Sequence, residues 1–201
     1  MADLEEVQLD GYYIKHVKEQ TPELCLAAVK QNGLVLMYIK EQTPEICLEA
    51  VRYSGHALKY VKEQTHELCL AAIKQNAGAL EYVKEQTYEF CLTAVKRNGY
   101  ALQYIENQTP EICLAAVKQN GYALRYVKEQ THDICLAAVK ENGCAVKYIK
   151  KQTPEICITA VKQEAAAAYN FVQDEFKFLF NKEFEGLSLD EIKTLVPEMF
   201  L

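Results

Sequence analysis

Apolar side chains return to the same places every 22 residues between Thr21 and Lys162. The Gln-Thr pair marks each return, with threonine at 21, 43, 65, 87, 109, 131 and 153 and no insertion between them. Taking Thr as position 1, the consensus is T-P-E-I-C-L-A-A-V-K-Q-N-G-Y-A-L-R-Y-V-K-E-Q. A half repeat precedes the first: "DGYYIKHVKEQ", residues 10–20, matches positions 12–22. In the repeat starting at Thr109, Ile112, Cys113, Leu114, Ala116 and Val117 spread over roughly 200° of a helical wheel, too wide for a helix that packs on one neighbour. In the second half, Ala123, Leu124, Tyr126 and Val127 are apolar while Arg125, Lys128 and Glu129 are charged. The pattern predicts two short helices per repeat.

The punctuation agrees. Thr at position 1 suits an N-cap, because its hydroxyl can accept a free backbone N–H. Pro at position 2 (Pro22, Pro44, Pro110, Pro154) suits a first helical turn, where its missing N–H costs nothing. Glu at position 3 and Lys at position 10 match the helix dipole. Asn-Gly at positions 12 and 13 predicts the end of the first helix, with Gly taking a positive φ. The second helix is expected over positions 14–21. Helices this short are marginal alone, so they must stack. The expected fold is all-α: an α-solenoid of seven two-helix repeats with a leading half repeat and a C-terminal helical cap. The expected domains are 1–20 as N-terminal cap and half repeat, 21–162 as the solenoid, and 163–201 as a Phe-rich cap or dimerisation segment.

"CLAAVKQNGYALRYV" and "CLTAVKRNGYALQYI" resemble an uncharacterised repeat family, a domain of unknown function whose units read V-L-x-A-V-K-x-N-G-x-A-L-x-Y-A. The resemblance covers about residues 11–162. Cys at position 5 and T-P-E at the cap depart from the family pattern. The resemblance implies a helical repeat protein of the kind found in giant DNA viruses of amoebae and in some bacteria. It implies no catalytic residues.

Half of the 201 residues are hydrophobic and a quarter are charged, a globular composition. The net charge of −6 is uneven: residues 1–20 carry −3, residues 163–201 carry −5, and the middle carries +2. No segment is basic enough to indicate nucleic acid by charge alone. No apolar run reaches the length of a membrane span, and the acidic start "MADLEEVQLD" lacks a secretory h-region. The expected setting is intracellular: host cytoplasm, nucleus or virion if the protein is viral, with no membrane.

Seven of the eight cysteines (Cys25, Cys47, Cys69, Cys91, Cys113, Cys135, Cys157) sit at position 5. Stacked helices place equivalent atoms roughly 8–10 Å apart, beyond disulfide reach. His16, His56, His66 and His132 fall at three repeat positions and make no ligand set. The cysteines are expected to be buried fillers, with only Cys144 readily reactive. No metal and no cofactor are expected. Nothing resembles a nucleophile–base pair or a phosphate-cradling loop, so no enzyme activity is expected.

Position 14 varies: Tyr12, Leu34, His56, Gly78, Tyr100, Tyr122, Cys144. These residues, Gly78 apart, are the candidate binding rim, set against simple tolerance at a half-exposed site. Tyr at position 18 repeats from Tyr38 to Tyr148, either as packing along the seam or as a platform for stacked bases. Basic residues repeat at positions 10 and 20, with Glu106 the exception at 20. They suit a solvated face or a phosphate stripe. Gln at position 22 is invariant and is expected to form an amide ladder that closes the turns.

In the tail, "AAAAYNFVQDEFKFLFNKEFEG" predicts one long helix up to Gly186, and Ser188 with Glu191 predicts a capping box for a short helix that Pro197 ends. Phe171, Phe176, Phe178, Phe180 and Phe184 are candidates for self-association, because three of them would point in different directions from an α-helix. A fold-over cap and a homodimer both satisfy the pattern. The expected function is a non-enzymatic protein–protein interaction or scaffolding module. The alternative is a nucleic-acid binder using the Lys rows and the Tyr ladder.

Overall fold

A computed structural model describes residues 2–181 and, beyond them, residues 186, 188, 190, 191 and 194. Among the described residues every regular element is a helix. The chain forms two compact units, residues 1–107 and residues 108–201. Each is a stack of the 22-residue repeats, the all-α solenoid construction that the periodicity predicts.

The first unit contains α1 (Ala2–Leu9), α2 (Pro22–Gln31), α3 (Pro44–Tyr53), α4 (His66–Gln75) and α5 (Tyr88–Arg97). The second contains α6 (Pro110–Gln119), α7 (His132–Glu141) and α8 (Pro154–Tyr169). Thr caps all seven repeat helices: its hydroxyl accepts the N–H three residues on, at 3.3 Å in Thr21–Leu24 and 3.4 Å in Thr153–Ile156. Positions 4, 5, 8 and 9 point into the stack. Ala28, Val29, Ala50, Val51, Ala138 and Val139 are completely buried. The acidic N-terminus is itself a helix, and Val7 is its fully buried contact with the stack.

The second helix of each repeat is shorter and tighter than the sequence suggests. It is a 3-10 helix of six residues over positions 13–18, as in Gly33–Tyr38 and Gly121–Tyr126. Position 12 is extended, with Asn32 at φ −153° and ψ 111°. Its side chain often caps the 3-10 helix, as Asn32 Oδ1 does by accepting Leu34 N–H at 3.0 Å. The reason it stops at position 18 lies in the preceding repeat. An α-helix would use the position-20 N–H internally. Here Lys40 N–H donates instead to Gln20 Oε1 at 3.0 Å, and the chain leaves the helix to reach it.

The position-13 glycines do not adopt positive φ; among the described residues only Gly186 does. Their requirement is closeness, not conformation. A Cβ on Gly121 would lie 2.5 Å from the Ala138 carbonyl oxygen, and one on Gly33 would lie 2.2 Å from that of Ala50. The 3-10 layer of one repeat presses directly on the helix backbone of the next. Ala77, 5 % exposed at the same position, shows that one junction accepts a methyl.

The tail departs from the expected long helix. α8 runs six residues past its counterparts and ends at Tyr169. The chain then turns into a 3-10 helix, Asp174–Phe180. Gln152 explains the break: it donates to Phe171 O at 2.8 Å and accepts Gln173 N–H at 2.9 Å. The tail thereby takes the seat of the seventh repeat's own 3-10 layer, one residue longer along the chain. Val172 and Leu179 close over Cys157, with Phe176, Phe180, Ile158 and Val161 packed around them. At three residues per turn, Phe176 and Leu179 lie one above the other on a single face. Phe176 and Phe180 are partly buried against the cap. Phe184 lies outside the described residues, as does the side chain of Phe178. The capping box forms, with Ser188 N–H donating to Glu191 Oε2 at 2.7 Å and Glu191 N–H to Ser188 Oγ at 3.3 Å.

Candidate functional site

The junction between repeats is built on glutamine, and this decides which side chains remain for binding. The Gln20 amide donates to Ile14 O at 3.1 Å and to Tyr38 O at 3.0 Å, and its oxygen accepts Lys40 N–H. The same bonds recur in both units: Gln64 to Tyr82 O at 2.8 Å and Gln130 to Tyr148 O at 2.9 Å. The position-5 thiol also faces the glutamine oxygen, from 3.4 Å for Cys157–Gln152 to 3.9 Å for Cys91–Gln86. The glutamines thus stitch backbone to backbone; they do not stack amide on amide.

All eight cysteines are buried and free. Burial pushes the seven position-5 thiols up, Cys157 to about 12. Cys144 is buried too, not a reactive rim thiol. A hydrogen bond to Glu164 raises its pKa first and burial second. Glu164 Oε2 also accepts Cys144 N–H at 3.3 Å, the bond that Asn Oδ1 accepts in sister repeats. Asn142 Oδ1 is left buried without a partner.

The position-20 lysines are committed to the scaffold as well. Lys40 Nζ donates to Lys18 O at 3.0 Å, Lys62 to Lys40 O at 2.8 Å, Lys84 to Lys62 O at 3.0 Å and Lys150 to Lys128 O at 3.3 Å. Each reaches back one whole repeat. The position-10 row is exposed. At position 2, where Pro is replaced, His66 and His132 reach Glu89 and Glu155 of the following repeat at 3.3 and 3.2 Å. Two equivalent clefts, about 340 and 320 Å³, open beside Cys47 and Cys69 in the first unit. Their polar walls include Gln64, Cys69 and Lys84, which already bond within the scaffold.

What remains is the outer face of the 3-10 layer, formed by positions 14, 17 and 18. Position-14 rings meet the position-18 ring of the next repeat edge to face: Tyr12–Tyr38 at 6.1 Å, His56–Tyr82 at 5.8 Å and Tyr122–Tyr148 at 6.1 Å. Tyr12 is exposed, Leu34, His56, Tyr100 and Tyr122 are half-buried, and Cys144 is buried. The tyrosine ladder is half-buried along the seam. Position 17 completes the face and is not evident from the apolar pattern; its variation from repeat to repeat is the signal that marks it. Lys59 lies 5.8 Å from the Tyr60 ring and 5.9 Å from Tyr82. Arg125 lies 5.1 Å from Tyr126 and 5.6 Å from Tyr148. Lys147 lies among three rings, 5.0 Å from Tyr122, 4.9 Å from Tyr148 and 5.6 Å from Phe171. A cation on a ring face keeps its charge and loses mobility, an interaction worth about 0.5–1 kcal/mol at exposed sites.

No described helix is long and apolar enough to cross a membrane. No curated protein and no solved structure matches the chain. A family model, "Domain of unknown function (DUF4116)", matches residues 21–64, 43–87, 65–108 and 87–130. Each match spans two successive repeats, and together they cover more than half of the chain. The protein therefore belongs to this family of helical repeats, the domain of unknown function DUF4116.

Proposed function

We propose that the protein is a non-enzymatic scaffold that binds another protein through the outer face of its 3-10 layer. One observation carries the reading: the scaffold side chains repeat, while in each unit positions 14 and 17 change from repeat to repeat beside the half-buried rings of position 18. Loops and rims on a rigid frame are where recognition residues collect. Family membership is compatible with such a scaffold. An intracellular setting, in a host cell or a virion, fits the resemblance to repeats of amoeba-infecting viruses and is part of the proposal.

Nucleic acid is the weaker reading for a specific reason. A phosphate-binding stripe needs free cations in register. Four of the position-20 ammonium groups are bonded to backbone carbonyls, the exposed position-10 row is offset by an acid at position 3 of every repeat, and position 17 runs Lys15, Met37, Lys59, Glu81 and Gln103 in the first unit. Mixed chemistry suits a protein surface better than a polyanion.

Selection of a random peptide library on the full chain tests this. The expected result is a set of peptides that bind the native chain and fail on a variant carrying Met37→Glu, Arg125→Glu and Lys147→Glu. No face-dependent peptide, or oligo-dT binding that falls steeply with salt, would overturn it.

A further inference from the structure

We infer that the face of the second unit docks an acidic segment of a partner protein, with carboxylates meeting Arg125 and Lys147 and an apolar side chain meeting Phe171. This rests on the protein-binding reading above and names the partner chemistry for one part of that face.

Three observations converge on it. First, the two cations are presented together. Arg125 and Lys147 are both exposed, and both sit within 5.6 Å of the same Tyr148 ring. The rings restrict them, so less side-chain entropy is lost when a carboxylate binds. A guanidinium is also suited to bidentate carboxylate pairing.

Second, the charge runs against its surroundings. Residues 108–201 hold eleven Lys or Arg and thirteen Asp or Glu, a net charge of −2. The nearest acid that the structure ties to this site, Glu164, is half-buried and engaged with Cys144. The outward-facing charge of the patch is therefore positive, and an acidic ligand is its electrostatic complement.

Third, an apolar anchor borders the cations. Phe171 is 43 % exposed although its carbonyl is fixed by Gln152. The tail cap places it in line with the tyrosine rungs, where Lys147 touches its ring. A large ring held rigidly beside charged groups is the composition of an interface hot spot. Two cations are too few for a strand of phosphates, whereas they match two carboxylates spaced along a peptide.

The test uses the full chain and a fluorescein-labelled synthetic peptide of alternating Glu and Leu, with its Lys-for-Glu counterpart and an oligo-dT strand as comparisons. The acidic peptide is expected to bind and the lysine peptide not to. Arg125→Glu or Lys147→Glu should each weaken binding by about ten-fold or more, a loss near 1.4 kcal/mol. Arg125→Lys should weaken binding less than Arg125→Glu, because it keeps the charge and loses the bidentate fork, and Lys118→Glu on the position-10 row should change it by less than about two-fold. Failure of the acidic peptide to bind, binding indifferent to Arg125 and Lys147, or oligo-dT binding through these two residues would each overturn the inference. Should the random library yield face-dependent peptides that are not acidic, the inference fails while the protein-binding reading stands.

Discussion

In the unit of residues 1–107 the position-17 side chains are Lys15, Met37, Lys59, Glu81 and Gln103, and in the unit of residues 108–201 they are Arg125 and Lys147. Beneath them the junctions are the same. Gln64 and Gln130 make equivalent bonds, Thr65 and Thr131 cap equivalent helices, and Gly33 and Gly121 press on equivalent carbonyls. The first unit thus offers a mixed face, where Lys15 and Lys59 alternate with Met37, Glu81 and Gln103 and Met37 is 48 % exposed, and the second a cationic one bordered by Phe171. The comparison separates two kinds of position. Some are fixed by backbone groups that need a partner, and these define the stack. Others meet only side chains and solvent, and these are free to specify what is bound.

The sharpest break of the comparison is to attack the shared frame. Gly33→Val and Gly121→Val drive a Cβ into a backbone carbonyl that cannot rotate away. Each should cost roughly 3 kcal/mol, the upper range for overpacking, and the two costs should be similar because the junctions are alike. Ala77→Gly should cost far less. Chemical denaturation of the three variants gives the comparison.

Next in size is the glutamine. Gln64→Leu and Gln130→Leu leave a carbonyl and an N–H without their partner, at about 1–3 kcal/mol for each orphaned group. Equal losses in both units support a common stitch. A Gln variant as stable as the native chain would mean that water replaces the amide.

Alkaline titration should show an effect in both units, because burial raises the position-5 thiols of each, with Cys157 raised furthest. The Cys157 thiol is raised from its ordinary value of 9.0 to about 12 by burial, with Glu175 adding to it. A folded-state value above the unfolded one means that the native state holds the proton longer. Stability is therefore fully present below pH 9 and falls as the pH climbs toward 12. Cys157→Ala should remove its share of that fall and leave the share of the other position-5 thiols. Thiol labelling of the native chain should be slow at all eight cysteines.

The frame was largely legible in the sequence because its causes are local. Thr, Pro and Glu announce the helix starts, and the 22-residue return of Cys, Ala and Val announces the buried face. The parts that were not legible depend on a neighbour 18–22 residues away. A 3-10 helix in place of an α-helix follows from Gln20 capturing the Lys40 N–H. Gly121 reads as a turn residue until Ala138 is seen against it. Tail residues that read as one long helix become a cap because Gln152 takes the Phe171 carbonyl. Of the candidate rim, Tyr12, His56 and Tyr122 each meet the position-18 ring of the next repeat and Cys144 is buried, while position 17, marked in the sequence only by its variation, gains its meaning from the ring contacts.

The smallest expected effect sharpens the comparison within the first unit. Glu106 holds the position-20 site where other repeats have Lys, and its N–H reaches Gln86 Oε1 at 3.4 Å, against 3.0 Å for Lys84 N–H to Gln64 Oε1. A carboxylate cannot donate to the carbonyl one repeat back. Glu106→Lys supplies the donor and should stabilise the chain by up to about 1 kcal/mol, measured as a rise in Tm.

Oxidative footprinting of the full chain with and without the alternating Glu-Leu peptide tests the central claim most directly, because rings serve as reporters on both faces. The account predicts protection at Tyr122, Tyr126, Tyr148 and Phe171, with no change at Tyr38, Tyr60 and Tyr82 or at the exposed helix residues Tyr53 and Tyr88. Protection of the first unit's tyrosines, or of Tyr53 and Tyr88, with the second unit's rings unchanged would contradict it.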